Sequence, residues 1–197
     1  MTEPEEAYYT QERWQNWLDR LEEEEIDLEG EGMAEDTARL LWNLQDDAAI
    51  AVAKVLTDYE EGDLDEDGAV ERIEKIQDIV LSDPGIEDED TLALLDGVQT
   101  SMVCVFYSAQ EYVVAGAVEE GTVEDYVHAA VDAAEEDDLD AALGYLVQAG
   151  TQIVGGADFD VEVGEEVQYP VSEWLNGLDS LQDALAEPEV VEEEDKE

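Results

Sequence analysis

The 197-residue chain carries 58 Asp and Glu against 7 Lys and Arg, a formal net charge of -51, yet 44% of its residues are hydrophobic. That apolar share is enough for a core, so the acidity is not that of a disordered tail, and the length fits one domain. Arg13, Arg20, Arg39 and Arg72 are scattered among carboxylates, which speaks against direct nucleic-acid binding, where clustered cations must neutralise phosphates.

Residues 1–9 are expected to be a disordered N-terminal segment, and its acidic start, Met1 to Glu6, does not resemble a secretory leader. Thr10 can cap a first helix running to about Leu28, with Trp14, Leu18 and Leu21 on one stripe, before Gly30 and Gly32 break it. A second helix, about Glu35 to Tyr59, places Leu41, Leu44, Ala48, Val52, Val55 and Tyr59 inward, and Gly62 stops it. A third carries Val70, Ile73, Ile76, Ile79 and Val80 up to Pro84-Gly85.

The fourth, about Glu89 to Ala117, has no polar face from Val98 through Val114, the mark of a helix at the centre of a bundle. Gly121-Thr122 introduces a fifth helix with Val123, Val127, Ala130 and Ala134 inward. Asp138 caps a sixth with Ala142, Leu143, Leu146, Val147 and Ile153. Asp158 to Tyr169 alternates through Phe159, Val161, Val163 and Val167, as either a surface loop or a short strand. Pro170 and Ser172 open a last helix with Trp174, Leu178, Leu181 and Leu185, and residues 187–197 form an acidic tail expected to be disordered. The pattern predicts an all-α, single-domain bundle of six or seven helices around an apolar central helix, spanning residues 10–186.

Carboxylates lie on the outward positions of every predicted helix rather than in one stripe. At ordinary ionic strength such a charge opposes compaction; at about 1 M salt the Debye length falls to roughly 3 Å and the repulsion is screened. The composition therefore points to a cytoplasm of molar salt. The uncharged run Gly97 to Gln110 is shorter than the ~20 apolar residues of a membrane span, so no membrane association is expected. A single cysteine, Cys104, allows no internal disulfide.

One stretch matches a calcium loop: Asp63, Asp65 and Asp67 at positions 1, 3 and 5, Gly68 at 6 and Glu74 at 12. A helix–turn–helix explains the same letters, with Gly62 as a stop, Leu64 as a hydrophobic staple and Asp65 as the next cap. Similar turns recur at Gly121–Asp125 and Asp138–Ala142 without such a ligand set, so no metal and no cofactor are expected. His128 is the only histidine, which excludes a His pair within one chain, and a boundary or surface position is expected for it. Cys104, inside the apolar fourth helix, reads as a small hydrophobe.

A repeated phrase rises above this background. Trp14-Gln15-Asn16-Trp17-Leu18-Asp19-Arg20-Leu21 and Trp174-Leu175-Asn176-Gly177-Leu178-Asp179-Ser180-Leu181 both follow W-x-N-x-L-D-x-L, and Trp42-Asn43-Leu44 with Asp46 is a fragment of it. Trp14, Trp17 and Trp174 are thus either core anchors or anchors for a partner. If the stripes are core, both should cover the central helix around Met102 and Phe106 from adjacent positions.

These phrases, with Gln11–Leu18, Asn43–Ala49 and Leu95–Ser101, resemble a haloarchaeal family of uncharacterised proteins catalogued as a domain of unknown function. The resemblance spans about Tyr8 to Pro188 and implies a high-salt cytoplasm and a single domain, with no activity or ligand attached. The reading is a non-enzymatic protein-binding or scaffold protein with a protein partner or a second copy. The alternative is a small-ligand or calcium-responsive helical protein.

Overall fold

The computed structural model describes residues 7–24, 26, 33–160 and 167–186. Among them are seven helices and no strand: α1 Gln11–Glu23, α2 Glu35–Glu61, α3 Glu66–Val80, α4 Glu89–Ala115, α5 Val123–Glu135, α6 Leu139–Val154 and α7 Val171–Ala186. The expected all-α bundle is the observed architecture. Asp158–Asp160 and Val167–Gln168 are not strand, while 161–166 lie outside the described residues, as do Gly30, Gly32 and 187–197.

Local chemistry sets the ends of the elements. The Arg13 N–H donates to Thr10 Oγ1 at 3.1 Å, the Gly68 N–H to Asp65 Oδ1 at 2.9 Å and the Ala141 N–H to Asp138 Oδ1 at 3.1 Å, so all three expected caps are used. Thr122 and Asp125 close a reciprocal capping box at α5. Gly62, at φ 83°, ends α2 in the left-handed region. Two boundaries differ from expectation. α1 stops at Glu23 rather than near Leu28, because Glu24 is extended. Tyr8 and Tyr9, assigned to the disordered segment 1–9, instead pack on the bundle, with Tyr9 buried and the Tyr8 hydroxyl donating to Asp58.

α4 is the shared wall of the molecule, packed against α2, α3, α6 and α7. One part of the core joins its Leu95, Met102, Phe106 and Val113 to α1, α2 and α3; another gathers α5, α6 and α7 around Cys104. Small residues allow close approach on the second side. A Cβ at Gly150 of α6 would collide with the Ser108 side chain, and one at Gly177 of α7 with the Ser101 carbonyl. By length and hydropathy α4 could cross a bilayer, with half of its most apolar window buried in the bundle. Its burial is not complete: Tyr107 and Val114 reach solvent.

Candidate partner-binding cleft

The Trp14 and Trp174 indoles are both buried, at 0% and 7% exposure. The repeated phrase is therefore a packing device, but not the one expected. α7 does lie on α4, whereas α1 packs on α2 and α3, so the two terminal helices are not twin covers of the central helix. Trp17 is half-buried. Its Nε1–H donates to Asp47 Oδ2 at 2.9 Å, and the Arg20 guanidinium sits 4.6 Å over its ring. These three tryptophans hold helices together.

The four candidate calcium ligands do not form a loop. Residues 66–74 are helical from the fourth position of the motif onward, so the chain cannot wrap an ion as a twelve-residue loop does. Asp65 is engaged as a cap, and Asp67 and Glu74 are exposed on α3. Asp63 instead approaches Asp58 and Glu61 at the end of α2. His128 is exposed on α5, as expected of it. The Cys104 thiol is buried and pushed up to about 12 by that burial, with the Ser108 hydroxyl pulling weakly the other way, which leaves it a poor nucleophile.

A concave feature lies elsewhere. α2, α4 and α7 enclose a cleft of about 730 Å³. α2 contributes Ala38, Leu41, Trp42 and Gln45, and α7 contributes Glu173, Asn176, Ser180 and Asp183, each set lying along one face of its helix. α4 supplies Leu94 and Val98, and Tyr169, just before α7, also lines the cleft. The Tyr169 hydroxyl donates to Asp96 Oδ2 at 2.8 Å and lies 3.0 Å from the Thr100 hydroxyl, which fixes the ring against α4.

Buried Gln45 organises the floor. Its Nε2 donates to Ser180 Oγ at 2.8 Å and to the Asn176 carbonyl at 3.3 Å, while its Oε1 accepts from Ser101 Oγ at 2.7 Å. One side chain thus ties three helices, and a buried amide so fully bonded holds the cleft in shape. The next residue, Asp46, faces Asp179 and Asp183. Burial, opposed by a hydrogen bond to Ser180 and reinforced by the Asp183 and Asp179 carboxylates, holds its carboxyl above the usual range. Asp179 is raised by burial and by Asp183. The third residue, buried Asp47, faces away and receives Arg13 Nε at 2.7 Å, Arg13 Nη2 and the Trp17 indole. Consecutive residues of α2 therefore divide the work, Gln45 and Asp46 toward α4 and α7 and Asp47 toward α1.

At the mouth stands Trp42, 67% exposed, above apolar neighbours that include half-exposed Met33. It was legible in the sequence only as a fragment of the phrase. The signal that singles it out is its place off the buried stripe of Leu41, Leu44 and Ala48.

A family model described as an uncharacterized protein conserved in archaea (DUF2150) matches residues 7–194. The chain belongs to this archaeal family. No curated protein and no solved structure matches it. The four stretches that carry the family resemblance, on α1, α2, α4 and α7, converge on Gln45, Asp46 and Asp47 in the fold.

Proposed function

We propose that this archaeal family member is a non-enzymatic protein-binding or scaffold protein of a high-salt cytoplasm, in the manner of a haloarchaeal protein, and that it docks its partner in the α2–α4–α7 cleft. The observation that carries this reading is Trp42, a large indole left 67% exposed beside an apolar floor. Tryptophan is the residue most enriched among interface hot spots, and here it stands over a floor fixed by the Gln45 network. Trp14, Trp17 and Trp174 serve packing, which leaves the binding role to Trp42.

A photo-crosslinking amino acid placed at position 38, which lines the cleft and leaves Trp42 intact, in cells lysed in about 2 M KCl, tests the docking role against the same group at exposed position 128. A discrete protein adduct from position 38 that is absent at 128 and lost with Trp42→Ala is the expected result; equal yields overturn the reading. The high-salt setting has its own measurement. With -51 formal charges, the thermal midpoint by circular dichroism should rise steadily between about 0.1 M and molar KCl as the Debye length shrinks. An unchanged midpoint removes the argument for a molar-salt interior.

A further inference from the structure

We infer that the occupant of the cleft is a cationic amphipathic segment of a partner protein, seating an apolar side chain beside Trp42 and placing Lys or Arg on Asp46, Asp179 and Asp183. The inference rests on the docking reading above and adds the chemistry of the partner.

Charge alone does not select this site, since the chain is acidic throughout. Two features separate the cleft from the remaining surface. Asp46 is half-buried on the cleft wall with the exposed Asp179 and Asp183 facing it, and among the described residues no Lys or Arg lines the cleft. Asp46, Asp179 and Asp183 therefore meet one another without a cation between them, a repulsion that an incoming ammonium or guanidinium would relieve. In molar salt the long-range field of the exposed acids is screened within roughly 3 Å, whereas the half-buried Asp46 is screened less. Under those conditions a cation held at Asp46 keeps an attraction that the open surface loses.

The apolar half narrows the occupant further. A small polyvalent cation would satisfy the carboxylates but leave Trp42, Met33 and Leu94 uncovered. A segment with both characters covers them, and an Arg beside the indole adds a cation–π contact. The chain's own continuation beyond α7, residues 187–197, holds seven Asp and Glu against the single Lys196, a net charge of the same sign as the cleft. A second copy offers only 7 scattered Lys and Arg among 58 Asp and Glu, with no cationic segment to present. Neither complements the site.

Display selection of random peptides of about 16 residues, long enough for an amphipathic helix, in about 2 M KCl on the full chain is decisive. The variants are Trp42→Ala and the double change Asp46→Asn with Asp179→Asn, each checked for native circular dichroism. The expected winners carry Lys or Arg flanking an apolar side chain, and their affinity falls at least about tenfold, some 1.4 kcal/mol, in both variants. Neutral or acidic winners that depend on Trp42 but ignore the Asn changes would overturn the cationic assignment while leaving the docking reading in place. Absence of enrichment, or winners indifferent to Trp42→Ala, would overturn both.

Discussion

α1 and α7 carry the same phrase and do opposite things with its fourth position. In α7 that position is Gly177, and the helix lies so close to α4 that the glycine Cα rests against the Ser101 backbone. In α1 it is Trp17, whose indole reaches the Asp47 carboxylate. α7 is locked among α2, α4 and α6 by close backbone contact, while α1 lies at the edge of the bundle on α2 and α3, fastened by a tryptophan stripe and the Arg13–Asp47 ion pair. Equal hydrophobic periodicity thus gives unequal roles. The residue between the stripe positions decides how near a helix can come, and nearness decides how many neighbours it gathers.

The widest separation between the two helices should come from their buried indoles. Trp174→Ala is expected to cost about 3–5 kcal/mol of global stability in denaturant titration. Trp14→Ala should instead release α1 as a unit, seen as lost amide-exchange protection in residues 11–23 with α2–α7 still protected. If both variants lower the global midpoint equally, α1 is not a separable element.

The fourth position gives the next test. Gly177→Ala drives a methyl into the Ser101 carbonyl, which is backbone and cannot rotate aside. A loss of about 3 kcal/mol is expected, against about 1–2 kcal/mol for Trp17→Ala. A harmless Gly177→Ala would show that α7 can move away from α4 at little cost.

Asp47→Asn probes the fastening of α1 alone. Asp47 is buried but its partner Arg13 is 45% exposed, so the pair is partly screened and about 1–2 kcal/mol is expected. The same exchange measurement should report fraying of α1 and no change in α7.

The smallest effect has the opposite sign. Because Asp46 titrates above its ordinary range in the folded state, its ionised form costs stability once the pH exceeds that raised value. The penalty is relieved as the pH falls through it. Asp46→Asn should therefore stabilise the protein at neutral pH, by less than about 1 kcal/mol since the group is partly solvated. The gain should vanish in acid. Destabilisation at neutral pH would mean that its bond to Ser180 outweighs the repulsion from Asp179 and Asp183.

Much of the candidate site was written in the sequence without being readable as one. Gln45, Ser101 and Ser180 are ordinary polar residues on three separate helices, and no spacing rule connects them. They become a unit when α2, α4 and α7 meet and a single amide must satisfy its donors and acceptor inside the core. Asp46 and Asp47 are adjacent in the chain, yet one joins a carboxylate cluster and the other an ion pair, because consecutive helical residues point about 100° apart. The calcium pattern fails for the converse reason. Its letters fit, but Asp65 caps α3 at once and the remaining ligands are carried away on a helix.

The sequence by itself determined the helices, their caps at Thr10, Asp65 and Asp138, and which stripes are buried, because 3.6-residue periodicity and capping act within one or two turns of chain. Tertiary structure alone decided that Trp14 and Trp174 belong to different parts of the core, that Gly177 is a contact point and that Trp42 is the indole left in water. Those outcomes depend on which helix faces which, and that choice is made by shape and packing between segments far apart in sequence.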